Sequence, residues 1–147
     1  MQRLNRVFTL EEINDVASTI ATLAEQLTVV TFQGDLGAGK TTLIRALCKV
    51  WGVSGSVSSP TFSLVNTYET AENNKPICIH HMDFYRLSSE EEAYQAGLEE
   101  LLHSGDRCLV EWPQRVPVII PHHALHVFLE TVGPNQRRIR VLTDQND

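Results

Sequence analysis

The motif most able to do chemistry is a run of nine residues, Gly34-Asp35-Leu36-Gly37-Ala38-Gly39-Lys40-Thr41-Thr42. It satisfies the phosphate-binding pattern G-x-x-x-x-G-K-[ST] at every fixed position. Glycines in such a loop let backbone N–H groups turn toward phosphate, and the Lys40 ammonium adds positive charge for the β- and γ-phosphates. The Thr41 hydroxyl is the expected Mg²⁺ ligand. The motif therefore predicts that the whole run from Gly34 to Thr42 binds a nucleotide.

A metal ion beside this loop needs a carboxylate from the end of a neighbouring strand. Two apolar runs end in an acid, 77–83 (ICIHHMD) and 108–111 (CLVE). Asp83 and Glu111 are therefore candidate catalytic acids, and the two runs leave open which acid contacts the metal. The loop 58–61 (SSPT) resembles a switch segment that could offer hydroxyls to the γ-phosphate or to Mg²⁺.

Hydrophobic periodicity predicts the elements that must position these residues. Thr9 and Glu12 have the spacing of a capping box, which predicts that a helix begins there. The further expected elements are strand 28–33, helix 40–51, strands 62–68 and 77–82, a short acidic helix from residue 88, strand 107–111, and strands 125–131 and 138–142. A turn at 69–76 would join the two middle strands as an antiparallel hairpin.

Length and composition limit the class of protein. The chain has 147 residues, of which 42% are hydrophobic, and no repeat or linker interrupts it, so we expect one domain over 1–147. A formal net charge of −6 argues against strong direct binding of nucleic acid, because phosphate contacts need Lys and Arg. The three cysteines form no C-x-x-C pair, and the chain has no apolar run of membrane-spanning length. These features predict buried thiols and a cytoplasmic protein.

The sequence also bears on which nucleotide binds. A guanine-specific protein would normally carry N-K-x-D after the phosphate loop, but Asn74-Lys75 is followed by Pro76-Ile77 and lacks the aspartate. This favours ATP over GTP. The arginines beyond the loop are scattered and form no arginine-rich lid, which disfavours a small-molecule phosphotransferase without excluding it.

Four stretches together resemble the TsaE (YjeE) family: 34–42 (GDLGAGKTT), 59–62 (SPTF), 81–87 (HMDFYRL) and 110–113 (VEWP). The resemblance implies a bacterial ATPase required for threonylcarbamoyladenosine modification of tRNA, with ATP and Mg²⁺ bound. It implies an α/β fold of P-loop NTPase type, a single domain with a mixed central sheet flanked by helices. The implied partners are the TsaD and TsaB proteins, with tRNA reached only indirectly through their complex. Hydrolysis of ATP would reset that complex between turnovers.

The same resemblance assigns roles to individual residues. Lys40, Asp83, Glu111 and the switch threonine Thr61 would be catalytic, and Thr41 with Glu111 would hold the metal. Leu10 would cover the adenine and Arg137 could reach the nucleotide, and Trp112 would pack near the site. A second hypothesis, an ATP-dependent binding module whose hydrolysis is incidental, stays open at this point.

Overall fold

Seven strands pair into one mixed sheet in a computed structural model that describes residues 1–60 and 64–144. They are β1 (Gln2–Thr9), β2 (Val29–Gln33), β3 (Val65–Glu72), β4 (Lys75–Asp83), β5 (Arg107–Glu111), β6 (Ala124–Gly133) and β7 (Gln136–Thr143). Their order across the sheet is β1-β7-β6-β2-β5-β4-β3. The four central strands β6, β2, β5 and β4 run parallel, and β7, β1 and β3 are antiparallel to their neighbours.

Helices cover both faces of this sheet. They are α1 (Ile13–Leu23), α2 (Lys40–Val50), α3 (Glu90–Gln95) and α4 (Leu98–Leu102), within the part of the chain that the structure describes. Side chains of α1 and α2 pack with one face of the sheet, whereas α3, α4 and the segment after β5 pack with the other. The chain is thus an α/β protein with a mixed central sheet flanked by helices, as predicted.

Apolar side chains alternate between the two faces of the sheet along the central strands, so helices must bury both faces. In β2, Val30 and Phe32 join the core beneath α1 and α2, whereas Val29 joins the opposite core. In β5, Leu109 and Val110 divide in the same way. Each fully buried side chain of this size contributes about 1.5–3 kcal/mol to stability. Because β6, β2, β5 and β4 run parallel, their carboxyl ends lie at one edge of the sheet. The phosphate loop begins at that edge, after β2.

The first strand was not predicted from the sequence. Among the described strands, β1 lies at the edge of the sheet and pairs with β7 alone, and Phe8 is its one fully buried residue, so its apolar signal is weak. Its start is held in place by hydrogen bonds between Met1 and Thr143, from the Met1 ammonium to the Thr143 carbonyl (2.6 Å) and from the Thr143 N–H to the Met1 carbonyl (2.9 Å). The predicted capping contact follows, with the Glu12 carboxylate accepting the Thr9 N–H at 2.9 Å. A short 3-10 turn therefore leads into α1.

The middle hairpin is antiparallel as predicted, but its turn is shorter than expected. Only Asn73 and Asn74 separate β3 from β4, with φ values of 53° and 64°. Asparagine tolerates this left-handed conformation, which a two-residue hairpin turn needs, and the polar residues on either side continue the strands. The prediction of a turn over 69–76 was therefore wrong in length. The start of the predicted strand at 62–68 lies partly outside the described residues.

All three cysteines are free thiols. Cys48 and Cys108 are buried, and burial raises the pKa of each thiol to about 12. Cys78 is only half-buried, so the expectation of buried thiols holds for two of the three. Among the described residues, none of the helices has the length and apolar character needed to cross a bilayer.

Candidate functional site

The phosphate loop joins the end of β2 to the start of α2, and its backbone requires glycine. Gly37 and Gly39 have φ values of +82° and +103°, which L side chains rarely adopt. A Cβ on Gly34 would lie 2.7 Å from the Leu129 carbonyl oxygen of β6, too close for any side chain. These constraints turn the loop tightly against the sheet and direct the amino end of α2 toward the loop, where helix N–H groups can receive an anion.

Lys40 is almost fully buried, with 5% of its surface exposed. Its ammonium donates to the carbonyl of Gly34 and, at 3.0 Å, to that of Asp35. The ring of Trp112 lies over it, 4.6 Å from the ammonium nitrogen to the ring centroid. Burial lowers the pKa of Lys40, while the carboxylates of Glu111, Asp83 and Asp35 oppose that shift. The ammonium is therefore held inside the loop between backbone carbonyls and an aromatic ring.

The two candidate acids are direct neighbours. Asp83 ends β4 and Glu111 ends β5, and these residues pair in register across the two parallel strands. Glu111 is buried and Asp83 is half-buried. Burial raises the pKa of the Asp83 carboxyl and the charge of Glu111 adds to the rise, whereas the backbone N–H of Tyr85, 3.0 Å from Asp83 Oδ1, opposes it. The sheet thus places two carboxylates together at the mouth of the loop.

A chain of hydrogen bonds links the loop to these acids. Ser59 Oγ lies 2.6 Å from Thr41 Oγ1 and donates to Glu111 Oε2 at 2.9 Å. His81 Nε2 contacts the same carboxylate oxygen at 2.7 Å. Ser59 therefore bridges the threonine and the glutamate that were predicted to share a metal.

These groups surround a cavity of about 420 Å³. It is lined by Leu36, Gly37, Gly39, Lys40, Thr41, Thr42, Ser59, Asp83, Tyr85, Glu111 and Trp112. The rings of Tyr85 and Trp112 form one side, with centroids 4.9 Å apart, and the guanidinium of Arg115 lies 5.3 Å from the Tyr85 ring. Trp112 has a left-handed backbone, with φ of 56°, directly after the end of β5. Such strained backbone at the edge of a cavity is common at functional sites.

The groups in the cavity fit a nucleotide with a hard divalent cation. Hydroxyls of Thr41 and Ser59 and carboxylates of Asp83 and Glu111 supply only oxygen, the ligand type that Mg²⁺ prefers. The ammonium of Lys40 and the amino end of α2 suit the anionic phosphates. The arrangement can therefore hold a phosphate chain and its metal in one place.

The predicted site residues are distributed in two groups. The cavity lining contains ten of them, Leu36, Gly37, Gly39, Lys40, Thr41, Thr42, Ser59, Asp83, Glu111 and Trp112. The remaining loop residues, Gly34, Asp35 and Ala38, shape the loop from outside this lining. Leu10 and Arg137 also lie outside the lining, and Thr61 lies outside the described residues.

Arg137 contacts the loop from β7, and Leu10 lies directly after the end of β1. Arg137 Nε donates to the Ala38 carbonyl at 3.1 Å, and its Nη1 donates to the carbonyls of Gly133 (3.2 Å) and Gln136 (2.9 Å). Leu10 follows the end of β1, next to the residue that pairs with Gln136, and is 39% exposed. In this structure the Arg137 guanidinium supports the loop backbone, and Leu10 is an exposed apolar residue at the start of the turn that follows β1.

The sequence prediction did not assign site roles to His81 or Tyr85, and it gave Ser59 a role only as part of the loop 58–61. His81 could have been found by strand geometry, because it lies two residues before Asp83 and therefore on the same side of β4. Tyr85 follows Asp83 by two residues, but it lies beyond the strand, where that period no longer applies. Only the fold shows that Ser59 meets Glu111, since 52 residues separate them.

Comparison with known proteins decides the family. The sequence model for threonylcarbamoyl adenosine biosynthesis protein TsaE matches residues 7–139. The chain belongs to the TsaE family. Family members are proteins of tRNA threonylcarbamoyladenosine biosynthesis, which agrees with the resemblance carried by the four sequence stretches.

Individual TsaE relatives are similar over most of their length. The protein TsaE of Bacillus subtilis is 35% identical over 129 residues, which is 88% of this chain and 78% of the relative. That of Rickettsia bellii is 36% identical, over 98% of this chain and 99% of the relative. The crystal structure of Bacillus subtilis YdiB is also similar, with a TM-score of 0.69 and 26% identity over 99% of this chain and 89% of that one. The fold and the family therefore agree.

One prediction concerns the half-buried acid Asp83. Its folded pKa is raised, so the stability associated with its protonated form is present below the unfolded pKa and is lost as pH rises through the folded pKa. We expect Asp83→Asn to raise the melting temperature of the metal-free protein at neutral pH, with a smaller gain in acid. The asparagine Oδ1 can still accept the Tyr85 N–H.

Thermal melts in EDTA across a pH series check this, with Glu69→Gln on the exposed side of β3 as the control substitution. An Asp83→Asn protein that melts at or below the wild-type temperature at neutral pH would show that the ionised Asp83 carboxylate does not destabilise the fold.

Proposed function

We propose that this protein is a cytoplasmic ATPase required for threonylcarbamoyladenosine modification of tRNA, which binds ATP with Mg²⁺ and hydrolyses it to reset the TsaD–TsaB complex between turnovers. The observation that carries the proposal is the convergence of Lys40, Thr41, Asp83 and Glu111 on one cavity at the carboxyl edge of the sheet. This set combines a phosphate cradle with carboxylates able to support a metal and orient water. Membership of the TsaE family connects that chemistry to tRNA modification.

Thr41 and Glu111 are the residues that we propose hold Mg²⁺, because Ser59 already joins their oxygens in one hydrogen-bond chain. The metal would supply positive charge to the β- and γ-phosphate oxygens. Lys40 would place its ammonium against the same phosphates. The Asp83 carboxylate, oriented by the Tyr85 N–H, would position the attacking water. The switch threonine Thr61 keeps its predicted role as part of this proposal.

The mouth of the cavity carries apolar groups suited to a protein partner. Leu36, at the tip of the loop, is 70% exposed, and Tyr85 is 38% exposed. A partner that covered these side chains would exclude water from the phosphates and strengthen the electrostatic interactions inside. We therefore propose that TsaD and TsaB approach this side, and that tRNA is reached only through them.

The direct test measures ATP hydrolysis by the isolated protein and by the protein mixed with TsaD and TsaB. We expect slow turnover alone and an increase of about tenfold or more with the partner pair, since partners of P-loop NTPases commonly complete the site. TsaD or TsaB added singly provides the control for non-specific effects. Brisk hydrolysis that the partner pair leaves unchanged would contradict a resettable assembly factor.

A further inference from the structure

The most informative contact outside the proposed catalytic set is made by His81. Its side chain lies in β4 with no exposed surface, and its Nε2 is 2.7 Å from Glu111 Oε2. The Glu111 side chain is itself only 4% exposed. Two polar groups have therefore been removed from water together, which is costly unless their hydrogen bond is well formed.

The state of the other ring nitrogen, Nδ1, indicates which His81 nitrogen carries the proton in this hydrogen bond. His81 Nδ1 is buried and has no hydrogen-bond partner among the residues that the structure describes. A carboxylate oxygen can only accept, so the ring must donate to it through Nε2. The neutral tautomer with its proton on Nε2 makes this bond without burying an unpaired N–H at Nδ1. His81 thus presents one fixed donor to Glu111.

Two donors converge on the same oxygen of Glu111. Ser59 Oγ donates to Oε2 at 2.9 Å from the loop side, and His81 donates to it from β4. The carboxylate cannot rotate without breaking both bonds. Partners of this kind, which orient a metal-binding group from behind, typically change metal affinity 10- to 100-fold when removed.

We propose that His81 is a positioning residue that holds the Glu111 carboxylate in the orientation needed to bind a divalent cation with ATP. The inference rests on the proposed metal role of Glu111 and goes beyond it by assigning the residue that makes that role possible. His81 does not line the cavity, so it would act on the metal only through Glu111.

The adjacent histidine provides a matched control. His80 is also buried and also contacts a carboxylate, with Nε2 2.9 Å from Asp106 Oδ2 and Nδ1 3.0 Å from Thr67 Oγ1. It points to the other face of β4, and neither His80 nor Asp106 lines the cavity. The two positions therefore share burial and chemistry but differ in whether the paired carboxylate belongs to the site.

The test measures Mn²⁺ affinity by electron paramagnetic resonance in the presence of a non-hydrolysable ATP analogue. We expect His81→Leu and His81→Asn to weaken Mn²⁺ binding about 10- to 100-fold. His81→Gln should restore affinity to within a few-fold, because its amide nitrogen reaches about as far as Nε2, whereas that of asparagine reaches only about as far as Nδ1. His80→Leu should leave Mn²⁺ affinity unchanged. The affinity of each variant for the ATP analogue, measured in EDTA, reports whether that variant keeps its fold.

Wild-type Mn²⁺ affinity in His81→Leu would overturn the proposal, as would equal losses in His81→Gln and His81→Leu, which would indicate a purely structural role. If the substitutions prevent folding, nitrogen-15 NMR of the wild-type His81 imidazole decides, since a proton on Nδ1 instead of Nε2 contradicts the bond to Glu111.

Glu111→Ala separates the proposed metal role of Glu111 from the proposed positioning role of His81. Unchanged Mn²⁺ affinity in that variant removes the proposed metal role of Glu111, whereas loss there without loss at His81 removes only the role of His81.

Discussion

Replacing Lys40 with alanine is expected to lower ATP turnover by about 10²- to 10³-fold and to weaken ATP binding. The ammonium is buried within the loop, and carbonyls of the loop and the Trp112 ring already hold it near the phosphate position. Its removal takes away the positive charge that would lie closest to the phosphates, at a nearly fully buried position where charge interactions are stronger than in water. The loss should therefore affect both the ground state and the transition state.

Initial hydrolysis rates at saturating ATP, together with ATP affinity from calorimetry, check this prediction. Lys49→Ala is the matched control, because Lys49 lies on the same helix α2 but is exposed and far from the loop. Thermal melts show whether the loop still folds without the hydrogen bonds of Lys40 to Gly34 and Asp35. A folded Lys40→Ala protein with turnover and affinity near wild type would mean that the cavity is not the nucleotide site.

The second large effect is expected from Glu111→Gln. It removes the charge of the proposed metal ligand while keeping its shape and an oxygen for the donors Ser59 and His81. We expect ATP turnover to fall by about 10²- to 10³-fold, since the charge that supports the metal at the phosphates is lost. ATP-dependent association with TsaD and TsaB should be largely kept, because the loop and Lys40 are intact. A single round of tRNA modification should then proceed, and repeated rounds should stop.

Modification of tRNA under single- and multiple-turnover conditions measures this difference. Glu100→Gln on the exposed surface of α4 controls for the loss of one negative charge. Multiple-turnover modification that continues unchanged in Glu111→Gln would favour an ATP-dependent binding module whose hydrolysis is incidental. Phosphate found on a metabolite instead of in solution would favour a phosphotransferase.

Much of the site could be predicted because its residues have strong local signals. The spacing of glycines, Lys40 and Thr41 is read directly from the chain, and their placement between a strand and a helix follows from hydrophobic periodicity. Asp83 and Glu111 were found because each ends an apolar run. The edge strand β1 and the short turn at Asn73 and Asn74 were missed because polar residues dominate both. The pairing of β1 also depends on a distant partner, since even its nearest pair in sequence, Thr9 with Gln136, joins residues far apart in the chain.

The sequence by itself determined the phosphate loop, the two acids and the family to which the chain belongs. Only the tertiary structure decided how these parts meet. Parallel pairing of β4 and β5 sets Asp83 beside Glu111, and the fold then brings Ser59 and His81 onto one oxygen of that glutamate. The reason is physical: a motif is encoded by neighbours along the chain, whereas a hydrogen bond between distant residues depends on strand order and register, which hydrophobic burial across the whole sheet sets.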